Sequence, residues 1–81
     1  MGAALEQEHN RKGPFHGVTG SYISFDDEFV KYPYVSVMLE ATGSQTGNVN
    51  AFVRTVSVKV FDIEFSHEFS GYVHYIASRQ L

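Results

Sequence analysis

Three side chains of this chain are of types that bind sugars: Arg54, His67 and Tyr72. Arginine supplies a planar fork of N–H donors, histidine a donor or an acceptor, and tyrosine a hydroxyl on a flat ring. A sugar is held by such hydrogen-bonding groups beside an aromatic ring that packs on its C–H face. The same residue types also form ordinary cross-strand pairs on sheet surfaces. The three are therefore candidate ligand-binding residues, with surface pairing as the alternative.

An acidic run and four scattered histidines are the other titratable groups that invite a chemical interpretation. Asp26-Asp27-Glu28 is contiguous, whereas a calcium loop places its acids at alternating positions. His67 and His74 flank a predicted turn, but a zinc site needs a third ligand and only Glu68 stands near them. The sequence therefore predicts a solvated acidic loop, surface histidines, and no metal or other cofactor.

Ser66-His67-Glu68 contains the residue types of a hydrolytic triad. Adjacent residues on a strand point to opposite faces, so these three cannot form one. The chain also lacks the His-Glu-x-x-His helix, the glycine-rich phosphate loop and the Gly-x-Ser-x-Gly elbow. We therefore expect a binding or structural domain and not an enzyme.

Size and charge limit the partners that this chain can have. Its 81 residues form one domain at most, without cysteine for disulfides, and a core this small is marginal alone. Association with further copies is the common remaining support. The net charge is −3 and the six basic residues are scattered, which argues against nucleic-acid binding. No apolar run approaches the length of a bilayer span, so membrane insertion is not expected.

Alternating apolar and polar residues predict an all-β fold of about five or six antiparallel strands. The clearest strand is Tyr34–Ala41, with Val35, Val37 and Leu39 facing the core, followed by a polar loop at residues 42–48. Between residues 49 and 65 the apolar phase shifts by one residue, which requires a bulge or turn near residues 60–61. The remaining predicted strands are residues 21–25, 51–59, 61–67 and 72–78, with a turn at residues 66–71.

The first 20 residues are predicted to be a tail or linker, with the β-domain over residues 21–81. Residues 1–12 are either an added or disordered tail or the end of a stalk that joins the domain to a longer protein. Closely spaced Gly and Pro from Gly13 to Gly20 are typical of a linker.

Several apolar motifs resemble the lectin-like C-terminal domain of phage tail fibres and the related H-type lectins. In both families a strand ending in Phe precedes a second Phe, a proline and an alternating Val-rich strand. A central Val-rich strand, the strand that follows it and a closing aromatic-Ile-Ala strand are similar too. The matching residues are Ile23-Ser24-Phe25, Phe29, Pro33-Tyr34-Val35-Ser36-Val37, Val56-Ser57-Val58-Lys59-Val60, Phe61-Asp62-Ile63-Glu64-Phe65 and Tyr72-Val73-His74-Tyr75-Ile76-Ala77.

The resemblance implies a small antiparallel β-sandwich that assembles as a homotrimer. In H-type lectins the sugar lies near the boundary between protomers, and the matching positions here are Arg54, His67 and Tyr72. The resemblance further implies a host-receptor-binding domain at the tip of a phage or prophage tail fibre. This domain would be located in the virion and attached to upstream fibre segments. Its ligand would be a bacterial surface polysaccharide or another glycan. The alternative is a structural domain that trimerises the end of a fibre without a ligand of its own.

Overall fold

The computed structural model describes residues 7–79, which form four β-strands and no helix. They are β1 (Gln7–Ser24), β2 (Tyr34–Ala41), β3 (Ala51–Val56) and β4 (Val60–Ser78). All pairings are antiparallel, and β4 is the strand to which each of the others pairs. The predicted all-β class is therefore confirmed.

The sheet has two halves that share β1 and β4. In the β3 half, residues 60–65 of β4 lie between β3 and residues 20–24 of β1. In the β2 half, residues 71–78 of β4 lie between β2 and residues 7–12 of β1. The β1 register shifts three times between the halves, from Lys12 to Gly20. Bulges of this kind bend a strand.

The two halves face each other across one core. Phe61 and Tyr75 are 14 positions apart on β4, which in a straight strand would separate them by about 46 Å. Their ring centroids are nevertheless only 5.1 Å apart, and Phe25 packs on both rings. The sheet must therefore fold over at residues 66–70 of β4, which we call the bend. The outward faces of the two halves consequently point to opposite sides of the molecule.

Strict alternation along β4 builds most of the core. Odd-numbered residues face inward on both sides of the bend, because side chains of a strand alternate between its faces. Ile23, near the end of β1, and Phe25 and Phe29, which follow β1, complete the core. The buried apolar residues are Ile23, Phe25, Phe29, Phe61, Ile63, Phe65, Phe69, Val73, Tyr75 and Ala77.

The loop between β2 and β3 provides hydrogen bonds to the bend, where β4 has no neighbouring strand on that side. The Gln45 side chain accepts from the Ser70 N–H at 2.6 Å and donates to the Glu68 carbonyl at 3.3 Å. Asn50 donates its N–H to the Ser66 hydroxyl at 2.8 Å. This loop therefore pairs the polar backbone of the bend, as buried or half-buried peptide groups require.

Two local predictions are confirmed. Strand β2 has the predicted bounds and the predicted loop follows it. The turn expected near residues 60–61 separates β3 from β4 at residues 57–59, slightly earlier than predicted, so the strand predicted over residues 51–59 ends at Val56. This turn contains neither Gly nor Asn. Ser57 stabilises it instead, because the Ser57 hydroxyl accepts from the N–H groups of Lys59 and Val60 at 3.2 and 3.1 Å.

The predicted number of strands is wrong, because two strands are long and bent. Residues 61–67 and 72–78 belong to one strand, β4, and the turn predicted at 66–71 is a bend within it. The linker predicted at 13–20 and the tail from Gln7 onward lie in β1. Pro14 is tolerated there because β1 is an edge strand, where a missing N–H costs no ladder bond. Residues 1–6 of the predicted tail lie outside the described residues.

Candidate functional site

An open groove crosses the outward face of the β2 half and encloses about 830 Å³. Outward-facing side chains of β1, β2 and β4 line this groove. They include one arginine, one glutamate and two histidines, together with two apolar residues. The lining side chains that face outward are His9, Arg11, Ser36, Met38, Glu40, His74 and Ile76.

Arg11 is held rigidly at one end of the groove. Its Nε and Nη2 donate to the two carboxylate oxygens of Glu40 at 3.0 and 3.1 Å. Its Cζ lies 3.6 Å from the ring centroid of Tyr72. A planar guanidinium stacked on a ring and forked onto a carboxylate has few rotamers left. Two of its five N–H groups are used in these bonds, so three remain to face a ligand.

Glu40 joins Arg11 to His74, whose Nε2 lies 2.7 Å from Glu40 Oε1. Hydrogen bonds from Arg11, and then from His74, lower the pKa of Glu40 to about 2. The carboxylate is thus charged at any ordinary pH, and its charge balances that of Arg11. The charges of Arg11 and Glu40 therefore cancel within the groove, which suits a ligand rich in hydroxyl groups more than an ionic one.

Replacing Arg11 with glutamine is expected to raise the pKa of Glu40 from about 2 toward its usual 4.5. His74→Gln should raise it less, because the Arg11 hydrogen bond is the largest cause of the shift. An NMR titration of the Glu40 carboxyl carbon measures both, with Arg54→Gln as a control that leaves Glu40 unchanged. Because the folded pKa is depressed, this pairing stabilises the fold above about pH 4.5, and that contribution is lost as pH falls toward 2. An unmodified protein whose Glu40 titrates near 4.5 would contradict the geometry.

Apolar side chains form the middle of the groove. Met38 is 71% exposed and Ile76 is 38% exposed, and they lie on adjacent cross-strand rows of β2 and β4. Large apolar side chains that remain exposed together mark binding surfaces more often than isolated ones do. The groove therefore combines polar groups at one end with an apolar floor.

The structure places the three sequence-predicted site residues apart. Tyr72 lies under Arg11 at the end of the groove, and His67 is exposed in the bend. Arg54 is on the outward face of the β3 half, where its Nη1 donates to Glu64. Arg54 lines a separate hollow from the groove that ends at Arg11 and Tyr72, so the structure does not bring Arg54 and Tyr72 together in one site.

A smaller hollow of about 310 Å³ surrounds Arg54 on the β3 half. Tyr22 stands at its rim and is 75% exposed. Asp62 and Glu64 form part of its lining, and Glu64 is paired with Arg54. Phe52, the cross-strand neighbour of Glu64, is 54% exposed beside it. This face thus presents two large aromatic side chains to solvent.

The acidic loop is tied to β1 by a buried carboxylate. Glu8 is 7% exposed and accepts the backbone N–H groups of Asp26 and Asp27 at 3.0 and 3.4 Å. It also accepts the Tyr75 hydroxyl, whose pKa is raised chiefly by burial and then by this hydrogen bond. The Asn10 amide donates to the Asp26 side chain at 2.7 Å, which is the main cause of a lowered Asp26 pKa. Hydrogen bonds to Glu8 and Asn10 therefore fix the acidic loop to β1.

Two further findings concern the part of the chain that the structure describes. Within residues 7–79, no three His, Asp or Glu side chains lie close enough together to hold a metal ion. In the same range there is no helix with the length and apolar character needed to cross a bilayer.

Sequence reasoning missed Arg11, Glu40 and His74 as a group. Arg11 falls in the segment predicted to be a tail, and 29 residues separate it from Glu40. One local signal was available: Glu40 and His74 each occupy an outward position of a predicted strand, opposite the core residues. Their pairing depends on the register of β2 with β4, which alternation alone does not specify.

No protein-family model, curated protein or solved structure matches this chain. The resemblance to phage tail-fibre domains and H-type lectins therefore stays a prediction from sequence motifs.

Proposed function

We propose that this domain binds uncharged cell-surface carbohydrate in the groove of the β2 half. The observation that carries the proposal is Arg11, stacked on Tyr72 and forked onto Glu40 with His74 beside them. This cluster offers oriented donors, acceptors and an apolar floor, and the charges of Arg11 and Glu40 cancel within it. With the motif resemblance, it supports a host-receptor-binding domain at the tip of a phage or prophage tail fibre, in the virion.

In this proposal each part of the groove has a role. The three remaining N–H groups of Arg11 donate to sugar hydroxyls, and the imidazole of His74 accepts from or donates to another. Met38 and Ile76 pack against the C–H surface of the sugar ring. Because Glu40 and Tyr72 hold Arg11 in place before binding, little side-chain entropy is lost when the ligand arrives.

We further propose that the domain assembles as a homotrimer of sandwich-like protomers. The fold of the sheet over one core supports a two-layer arrangement, and the small cysteine-free chain favours association. The exposed aromatics Tyr22 and Phe52 support contacts through the outward face of the β3 half. Three identical grooves would then bind a repetitive surface polysaccharide with increased avidity.

The test compares two arginines, Arg11 and Arg54, that are each exposed and hydrogen-bonded to a glutamate of another strand. Arg11→Gln is expected to weaken glycan binding on an array of bacterial surface glycans by about tenfold to a hundredfold, as removal of a charge-assisted hydrogen bond does. Arg54→Gln should leave binding unchanged if the groove alone is the site. Light scattering on each variant reports whether the trimer is intact.

The outcomes separate the alternatives. If Arg54→Gln abolishes binding while Arg11→Gln does not, the ligand site is on the β3 half and the groove assignment is wrong. If the unmodified trimer binds no bacterial glycan, the structural alternative is favoured, in which the domain only closes the end of a fibre. The exposure of Tyr22 and Phe52 is the specific observation that supports this second function. A monomeric mass would count against both.

A further inference from the structure

The outward face of the β2 half carries a second aromatic and polar cluster, at the start of β2 and beyond the residues that line the groove. Tyr34 is the first residue of β2, 66% exposed, and shares the outward face with Met38 and Glu40. Its neighbour in the β4 register is Ser78, and Ser78 is in turn opposite Gln7 of β1. Gln7 Nε2 lies 3.4 Å from the Ser78 hydroxyl. Tyr34 thus stands beside hydrogen-bonding groups, as Tyr72 does at the other end.

The two clusters are far apart along the strands. Tyr34 is opposite Ser78 and Glu40 is opposite Tyr72, so six residues of regular ladder separate the ends. At about 3.3 Å per residue this is about 20 Å. That distance exceeds the length of one sugar ring. Between the ends lie Ser36 and Met38 of β2, which are opposite Ile76 and His74 of β4, and His9 of β1 is opposite Ile76 on the other side.

We propose that an extended oligosaccharide occupies the groove and continues along β2 to Tyr34, which is a second stacking residue for a sugar unit several positions from the one at Arg11. This inference rests on the proposed carbohydrate-binding function. It defines the ligand as an internal stretch of a polysaccharide chain and not a single terminal sugar. The charge balance of the groove makes that polysaccharide an uncharged one along the bound stretch.

The probe is an array of neutral bacterial surface glycans, each present as a monosaccharide, a disaccharide and longer fragments. Affinity is expected to rise with fragment length until the fragment spans both ends, and then to level off. Tyr34→Ala should lower the affinity for the longest fragments on the order of tenfold, the scale of one lost aromatic contact. It should leave monosaccharide binding unchanged. Tyr34→Phe, which keeps the ring, should restore most of the lost affinity.

Tyr32→Ala is the matched control, since Tyr32 is an exposed tyrosine of the preceding loop and not part of β2. Equal affinity for monosaccharide and longest fragment, or a Tyr34→Ala variant that binds long fragments as the unmodified protein does, would overturn this inference. Either result would leave carbohydrate binding at the Arg11 end intact. Absence of binding to every glycan by the unmodified protein would overturn the proposed function, and the inference with it.

Discussion

Gly71→Ala is expected to destabilise the domain severely, because the neighbouring backbone of β2 leaves no room for a side chain. Gly71 is buried where β4 passes between β1 and β2, with a backbone φ of +152°. A Cβ there would overlap the carbonyl oxygen of Glu40 and approach the Cα of Ala41 to 2.9 Å. The overlap is with backbone, which cannot rotate away. Backbone strain and overpacking together should lower the free energy of unfolding by more than about 3 kcal/mol.

The measurement is a urea unfolding curve followed by far-UV circular dichroism, with Gly43→Ala as the control. Gly43 lies in the polar loop, and a Cβ added there meets no atom within 4 Å. Its variant should unfold within about 0.5 kcal/mol of the unmodified protein, as surface substitutions usually do. A Gly71→Ala protein with an unchanged urea midpoint would mean that β2 and β4 do not approach each other as closely as the structure has them.

Truncation of Phe61 is expected to have the next largest effect. Phe61 is fully buried and packs on Phe25 and Tyr75, so Phe61→Ala should cost about 3–5 kcal/mol of unfolding free energy. Phe52→Ala removes the same atoms from an exposed position on the β3 half and should cost less than about 1 kcal/mol. Denaturation curves of the two variants, measured side by side, give the difference.

The contact between Phe61 and Tyr75 also tests the folding-over of the sheet directly. In a double-mutant cycle with Phe61→Leu and Tyr75→Leu, the coupling energy should be about 0.5–1.5 kcal/mol, as for an edge-to-face aromatic pair. Two residues 14 positions apart on a straight strand would not be coupled. A coupling energy of zero would therefore show that the two halves of the sheet do not face each other.

The inward positions of β4 follow from the alternation of apolar and polar residues along this strand. The inward residues Phe61, Ile63 and Phe65 share odd numbering with Phe69, Val73 and Tyr75, and this parity is unbroken across the bend. The turn predicted at residues 66–71 is instead a bend within β4. The shared parity on both sides of that stretch was the signal that one strand continues.

Part of the candidate site could not be predicted from the sequence, because its residues come together only through pairing of strands that are far apart in the sequence. Tyr72 was predicted as a ligand-binding residue and lies at the groove. Arg11, its stacking partner, was assigned to the tail, since Gly13-Pro14 locally favours an end to regular structure. The pairing of Gln7 with Ser78 holds that segment in the sheet in spite of local propensity. Tertiary contacts override weak local preferences in this way.

The sequence by itself determined the all-β class, the bounds and inward face of β2 and the turn before β4. These follow from a period of two residues, from a phase shift and from turn chemistry, which are all local properties. Only the tertiary structure decided that β1 begins by Gln7, that β4 bends and folds the sheet over Phe61 and Tyr75, and that Arg11 meets Glu40 and His74. The physical reason is the register of the strand pairs. The residues that face one another across two strands are tens of positions apart in the sequence, and the same alternation fits every register that differs by an even number of residues.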